Sequence, residues 1–196
     1  LNMGIAGIPW WTTDIGGFFG ANINDPEFHE LLVRWFEYGC FCPVMRLHGY
    51  RWPLQPQYGT TGGATCVSGA PNEVWSYTDQ VCEILSDYLR LRERMLPYIT
   101  ELMEEAHEKG TPVMRPLFYD FPEDKESWNV ETEYMFGPKV LVKPITDADA
   151  RETDVYLPGG ASWTNAWTGE TFEGGQKVHV AAPIEQIPLF TRDGYK

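Results

Sequence analysis

The sequence has few cysteines and no long apolar run. Cysteine occurs four times in 196 residues, at Cys40, Cys42, Cys66 and Cys82. Cys40 and Cys42 are one residue apart, which is not the spacing of a zinc knuckle, and the four show no disulfide framework. We expect Cys40 and Cys42, which lie in an apolar context, to be small buried residues instead. The apolar runs are much shorter than the ~20 residues that a membrane span needs, so we expect no membrane partner.

Basic residues are also scarce. Lysine and arginine total 15 against 28 acidic residues, which gives a formal net charge of −13, and the basic residues form no cluster. This balance argues against nucleic acid or an anionic membrane as a partner. Two His-Glu pairs, at His29 and His107, begin like a zinc-protease motif, but neither is followed by the second histidine that the motif requires. We therefore expect no metal.

Aromatic residues, in contrast, make up 14% of the chain and include eight tryptophans. The most informative stretch is residues 8–18, Ile-Pro-Trp-Trp-Thr-Thr-Asp-Ile-Gly-Gly-Phe. An apolar run closed by Thr-Thr-Asp and two glycines predicts a buried strand that ends in a loop, with Asp14 at its carboxyl end. Aromatic faces beside a fixed carboxylate suit a sugar. Since Trp10 and Trp11 alternate along a strand, only one can face it, and we choose Trp11. Asp14 as a turn cap, with packing tryptophans, is the alternative.

A second apolar run, residues 41–51, carries Arg46 and His48 on one face of an extended strand because they are two positions apart. A helix separates the two runs: Asp25 is a suitable N-cap, Pro26 fits the first helical position, and Gly39 ends the helical period. Strand, helix and strand form a βαβ unit with neighbouring parallel strands. Asp14 and the Arg46/His48 pair should then lie at the same rim of one sheet.

Each candidate residue has a structural alternative. Arg46 could pair with an acid such as Glu37, and His48 could be a core histidine with satisfied hydrogen bonds. Phe18 is as easily a core residue as a wall on which a sugar ring stacks.

The remainder of the chain divides near residue 111. Residues 49–78 form a long loop, which is either close to the sugar site or a surface insertion. A helical period then runs from Asp79 to Lys109, with Pro97 expected to kink or break the helix and Gly110 to end it. Beyond it, turn signals separate short strands and predict an antiparallel β-sandwich: residues 111–119, 134–145, 153–157, 162–167, 177–180 and 187–192. Trp163 and Trp167 should pack this sandwich rather than form a sugar-binding platform.

Several motifs together resemble glycoside hydrolase family 31. GIPWWTTDIGGF and ELLVRWFEYGCFCPVMRLHGYR resemble the last part of that family's catalytic barrel. LRLRERMLPYITELMEEAHEKGTPVMRPLFYDFPED resembles the segment that joins the barrel to the first C-terminal β-domain, and EYMFGPKVLVKPI, VYLPGGASWTNAWTGETFEGG and IPLFTRDG resemble that domain. The resemblance covers essentially the whole chain in order. It implies an α/β plus all-β fold: residues 1–110 as the last two βα units of a (β/α)8 barrel, and residues 111–196 as a β-sandwich domain.

The resemblance also implies an activity. Family 31 contains retaining exo-acting α-glucosidases and α-xylosidases that use no cofactor. It implies that Asp14 and His48 bind hydroxyls of an oligosaccharide or glycoside, that Arg46 supports the acid/base, and that Phe18 and Trp11 line the site. The family's nucleophile lies in a Trp-x-Asp-Met-Asn-Glu-like motif and its acid/base in a Gly-Asp-Asn-like motif, and neither motif occurs here.

We therefore expect a C-terminal fragment that is inactive alone and whose partner is the rest of the same enzyme, with homo-oligomer formation and localisation left open. The Trp-Trp-Thr-Thr-Asp and Arg-Leu-His-Gly sequences look slightly closer to α-xylosidases. The alternative function is a non-catalytic carbohydrate-binding or interaction module.

Overall fold

The computed structural model describes residues 1–194. Its α-helices are α1 (Asn2–Ile5), α2 (Pro26–Cys40), α3 (Asp79–Lys109) and α4 (Leu117–Asp120). Its strands are β1 (Phe19–Asn22), β2 (Tyr50–Trp52), β3 (Met114–Pro116), β4 (Tyr134–Phe136), β5 (Val140–Val142), β6 (Glu152–Leu157), β7 (Ser162–Asn165), β8 (Thr171–Glu173), β9 (Gln176–Ala181) and β10 (Leu189–Arg192). Short 3-10 helices span Gly62–Thr65, Val74–Ser76 and Lys125–Trp128.

Helix α2 begins and ends close to where its sequence signals predict. The Asp25 side chain accepts a hydrogen bond from the Glu27 amide at 3.0 Å, which satisfies one of the amides that a helix start leaves unpaired. Its apolar face, including Phe28, Leu32 and Phe36, is buried, and α2 packs against α3. The predicted helix is confirmed.

Helix α3 runs without a break through Pro97. The Thr78 side chain caps its start by accepting from the Val81 amide at 3.3 Å, and Gly110 ends it in the left-handed conformation with φ 72°. Pro97 is exposed, so water can hydrate the backbone carbonyl that proline leaves without a donor. A break at Pro97 is therefore wrong.

The two predicted parallel strands are the largest departure from expectation. Neither residues 8–14 nor residues 41–49 form a regular strand, and Ile8, Trp10 and Trp11 are exposed rather than buried. A single parallel bridge joins Ile15 to Leu47, and the regular parallel pair, β1 with β2, begins only beyond Asp14 and His48. Among residues 1–194 this sheet has two strands, and a two-stranded sheet is only marginally stable by itself.

The C-terminal half is an antiparallel β-sandwich, as predicted. Six strands form one sheet in the order β3-β4-β5-β10-β7-β8, and β6 pairs with β9 in a second. Trp163 and Phe190 are fully buried in the core between them, together with Leu157. Three details differ from the prediction. Residues 111–119 contain only the short strand β3 followed by α4, and residues 134–145 contain two strands, β4 and β5, instead of one. Strand β8 is absent from the prediction because three residues carry too little alternation to reveal a strand.

The two halves of the chain are joined by a buried polar cluster, which we call the Arg34 cluster: Arg34, Glu37 and Tyr88. Arg34 donates to the Glu37 carboxylate at 3.1 Å, and Tyr88 donates to Glu37 at 3.1 Å. The Arg34 guanidinium also donates to four backbone carbonyls of the sandwich half, those of Ala150, Ala182, Pro183 and Gln186. Helix α2 is thereby fixed to the segment that leads into β10.

The Glu37 carboxyl should make stability depend on pH. Burial raises the pKa of Glu37 to about 8, more than the neighbouring Arg34 and the Tyr88 hydroxyl lower it. A carboxyl whose pKa is higher in the folded chain binds a proton that the unfolded chain has released. The contribution of Glu37 to the free energy of unfolding is therefore complete below about pH 4.3. It is lost as the pH rises through about 8.

Urea unfolding should accordingly show a free energy of unfolding that falls between pH 5 and pH 8, by at most about 1.4 kcal/mol per pH unit for this group. In the isosteric Glu37→Gln variant, the free energy of unfolding should fall less steeply over the same pH range. An equally steep fall in Glu37→Gln would assign the effect to other groups, such as Glu133, whose pKa burial raises to about 7.

Candidate functional site

Asp14 and Arg46 form an ion pair beside the Ile15–Leu47 bridge, at the predicted rim and just before β1 and β2 begin. Asp14 closes a turn, since its carbonyl accepts from the Gly17 amide at 2.7 Å, and its side chain is 22% exposed. The Arg46 side chain is 51% exposed, and its Nη2 atom donates to Asp14. The alternative partner for Arg46, Glu37, instead pairs with Arg34, so the structure brings the two predicted rim residues together.

Phe18 and His48 form a second contact at the same rim. Their ring centroids lie 5.5 Å apart at an interplanar angle of 36°. Both side chains are exposed, Phe18 by 63%, so neither is a core residue of the described chain. The four side chains come from residues 14–18 and 46–48, two segments that the Ile15–Leu47 bridge holds side by side.

Trp11 lies apart from these four residues. Its carbonyl accepts from the Val44 amide at 3.2 Å, and its side chain borders a small cavity with Met3 of α1 and Met114 of β3. Within residues 1–194, no ring contact or hydrogen bond joins the indole of Trp11 to Asp14, Arg46 or His48. A contact between Trp11 and the sugar thus stays a prediction.

An apolar cavity of about 950 Å³ lies elsewhere in the described chain. Its lining includes Trp10, Leu47, Val74, Trp75 and Met103, and does not include Asp14 or His48. Apolar side chains form most of its lining, although charged residues such as Glu73 and Arg92 also border it. It has the chemistry of a surface that packs against protein rather than sugar.

Arg51 is a further functional candidate of this region, and no motif of the sequence singles it out. It is fully buried, and its guanidinium donates to the Gly17 carbonyl at 2.8 Å and to the Ile15 carbonyl at 3.1 Å. One signal was available: Arg51 differs in parity from Arg46 and His48, so on an extended strand it points to the opposite, inner face. A charged residue there, between two aromatic neighbours, needs buried acceptors.

The loop of residues 49–78 lies against this region at one end. It contains β2 and two short 3-10 helices, and the Ala70 amide donates to the Arg51 carbonyl at 2.9 Å. The tryptophans of the sandwich behave mainly as packing residues: Trp163 is fully buried, and Trp167, 41% exposed, donates from its indole to the Ile187 carbonyl at 2.7 Å.

The rim offers a carboxylate acceptor, a guanidinium donor, an imidazole and an exposed aromatic face. This set suits a ligand with hydroxyl groups and apolar C–H faces. In the part of the chain that the structure describes, no three His, Cys, Asp or Glu side chains are grouped closely enough to hold a metal ion. None of the helices in residues 1–194 combines the length and apolar character of a membrane span.

Family models match both halves of the chain. Residues 1–102 match the model described as the glycosyl hydrolases family 31 TIM-barrel domain, and residues 110–195 match the glycosyl hydrolase family 31 C-terminal domain. The chain belongs to glycoside hydrolase family 31. The barrel fragment followed by a β-sandwich that the resemblance implied is thereby confirmed.

Family 31 enzymes align with nearly all of the chain. It is 39% identical over 194 residues to an α-xylosidase of Saccharolobus solfataricus, covering 99% of this chain and 24% of that protein. It is 35% identical to α-glucosidase 2 of Bacillus thermoamyloliquefaciens, covering 99% of this chain and 22% of that protein. The family 31 α-xylosidase from a soil metagenome, solved with xylose, superimposes with a TM-score of 0.95 at 52% identity, covering 100% of this chain and 29% of that chain. The chain thus spans about a quarter of its relatives' length.

Proposed function

We propose that this chain is the C-terminal part of a retaining, exo-acting α-glycosidase that hydrolyses α-linked xylosides or glucosides. The observation that carries the proposal is the rim cluster of Asp14, Arg46, Phe18 and His48, in a chain that belongs to family 31. Active sites of (β/α)8 barrels lie at the carboxyl ends of the strands, and in this proposal the apolar runs that lead to Asp14 and to Arg46 become two such strands when the rest of the barrel is present.

In this proposal Asp14 accepts hydrogen bonds from hydroxyls of the non-reducing sugar, and His48 binds a neighbouring hydroxyl. The exposed Phe18 ring, held by its contact with His48, covers an apolar face of the same sugar. Arg46 orients the Asp14 carboxylate. Because only its Nη2 atom donates to Asp14, the other nitrogens of its fork are suited to a second carboxyl, that of the acid/base.

The nucleophile and the acid/base belong to barrel strands outside these 196 residues, with carboxyl groups about 5–5.5 Å apart as in other retaining glycosidases. Residues 1–110 then supply the last two βα units of the barrel and residues 111–196 the sandwich that follows. The exposed Trp10 and Val44, at the border of the large apolar cavity, support this division because they offer the surface that further barrel strands would cover.

An α-xyloside is the favoured substrate. Two relatives support this preference, and both are described as α-xylosidases. One is the solved structure with 52% identity, which is complexed with xylose, and the other is the enzyme of S. solfataricus. The complete enzyme should have a higher kcat/KM on nitrophenyl α-xyloside than on nitrophenyl α-glucoside. The reverse preference would leave the glycosidase proposal standing and reassign the substrate to glucosides.

The alternative, a non-catalytic sugar-binding or interaction module, predicts a different upstream sequence. The gene of an active enzyme must encode both aspartate motifs ahead of residue 1. If the gene lacks both, the module is the better account.

The 196-residue chain alone should hydrolyse neither glycoside. Nucleophilic and general acid/base steps supply much of such a rate enhancement, and both reacting carboxylates are assigned to other strands. The test is an assay of the purified chain beside the complete enzyme, with the complete enzyme's nucleophile variant as the blank. Turnover by the chain above that blank would contradict the assignment of the chemistry to residues outside it.

A further inference from the structure

The burial of Arg51 removes its charged guanidinium from water, which costs free energy. Its side chain is completely buried, yet no aspartate or glutamate among residues 1–194 forms an ion pair with it. Its Nε atom has no hydrogen-bond partner. A buried cation without a counter-ion is expensive. Here the charge is compensated by the ring of Phe28, 5.1 Å from the guanidinium carbon, by the adjacent Tyr50 carbonyl, and by the carbonyls of Ile15 and Gly17.

The Ile15 and Gly17 carbonyls belong to the loop that carries the rim residues. Nη2 binds the Ile15 carbonyl and Nη1 the Gly17 carbonyl, immediately after Asp14 and before Phe18. The Arg51 backbone lies in β2, three residues after His48. One planar guanidinium thus spans the two segments from which the rim side chains project, and its fork geometry fixes two acceptors at once.

The backbone on both sides leaves space for this guanidinium. Gly16 has φ 82°, and a Cβ atom there would lie 2.6 Å from Nη2 of Arg51. A Cβ atom on Gly49, which has φ 149°, would lie 2.3 Å from the Gly17 carbonyl oxygen and 2.6 Å from Nη1. Glycine at these two positions is therefore required for the loop to close over the arginine.

We propose that Arg51 is a positioning residue that sets the loop of residues 14–18 against His48, so that Asp14, Phe18 and His48 face one sugar together. The sugar contact in this inference rests on the proposed function, whereas the effect of Arg51 on the conformation of the loop does not. A lysine in place of Arg51 has one ammonium group and no fork, and methionine has no donor at all.

The experiment compares Arg51→Met and Arg51→Lys with a matched control, Arg115→Met, in the complete enzyme. Arg115 is also a buried arginine, but it lies in β3 and pairs with Glu105 and Asp120. Arg51→Met should lower kcat/KM per folded enzyme by about tenfold or more, since small misplacements of catalytic geometry have effects of this size. Arg51→Lys should fall between Arg51→Met and wild type, and Arg115→Met should lose stability only.

A double variant separates positioning from general destabilisation. In the Asp14→Ala background the additional loss caused by Arg51→Met should shrink severalfold, because residues that act through one another are not additive. A residue that merely supports the fold would cause the same fold-loss in both backgrounds. Equal losses, or an Arg51→Met variant as active as Arg115→Met, would overturn the proposal.

Amide hydrogen exchange measures the loop without reference to activity. Arg51→Met should accelerate exchange in a peptide covering residues 13–18, whose Gly17 amide closes the Asp14 turn, by about tenfold or more, whereas Arg115→Met should leave that peptide unchanged. An unchanged peptide in Arg51→Met would refute the positioning role. If the wild-type enzyme hydrolysed no glycoside but the exchange result held, the proposed function would fail and the role of Arg51 would stand.

Discussion

Replacing Asp14 by alanine in the complete enzyme should lower kcat/KM on its best glycoside by about a hundredfold or more. A hydrogen bond to a charged group contributes about 1.5–3 kcal/mol, and one that strengthens as the sugar distorts toward the oxocarbenium-like transition state affects the rate directly. The substitution also leaves Arg46 without its carboxylate partner. The measurement is steady-state kinetics on nitrophenyl α-xyloside and α-glucoside.

His48→Ala should produce a smaller loss in the same direction, because it removes a hydroxyl partner and the ring that contacts Phe18. Asp154→Ala is a matched control, since Asp154 also bonds a single side chain, that of His179, but lies on the exposed face of the sandwich. It should leave kcat/KM unchanged. Near-normal efficiency in both Asp14→Ala and His48→Ala would refute the sugar-binding assignment.

Replacing Arg34 by alanine should lower the free energy of unfolding by about 3–5 kcal/mol, the usual effect of removing one partner of a buried ion pair. The change leaves Glu37 buried without its cation and removes the guanidinium donor from four carbonyls of the sandwich half. The loss should be greater at pH 8 than at pH 5, because Glu37, with its pKa raised to about 8, is then partly charged.

Urea unfolding of the chain measures this effect. Arg90→Ala is the matched control: Arg90 also pairs with an acid three positions away, Asp87, but both side chains are largely exposed, and such surface pairs contribute little. If Arg34→Ala lost no more stability than Arg90→Ala, the Arg34 cluster would not be what joins α2 to the sandwich.

The sequence predicts those features that depend on local chemistry. Helix α2 follows from the Asp25 cap and from apolar spacing, and α3 ends at Gly110 because glycine readily adopts the left-handed conformation. The βαβ pattern predicts that the segments of Asp14 and Arg46 lie side by side and parallel, and the Ile15–Leu47 bridge joins them in this way, although neither segment forms the regular strand that was expected. The antiparallel sandwich follows from turn signals between short strands.

The features that escaped prediction depend on contacts between distant segments. Arg34 and Arg51 are charged residues in otherwise apolar surroundings, and only the tertiary structure reveals the carbonyls that accept from them. The exposure of Trp10 and Trp11 is likewise invisible in their local sequence, which has the apolar character of a buried strand. Whether such a strand is covered depends on neighbours that its own residues do not specify.

The anomeric form of the first product tests the central claim most directly. Proton NMR of the complete enzyme with an α-xyloside and, in parallel, an α-glucoside distinguishes the sugar's α- and β-anomers before they equilibrate. A retaining α-glycosidase releases the α-anomer first, and this is the result that we predict for at least one of the two substrates. Release of the β-anomer would contradict the retaining mechanism, and hydrolysis of neither substrate would contradict the assignment as an α-xylosidase or α-glucosidase.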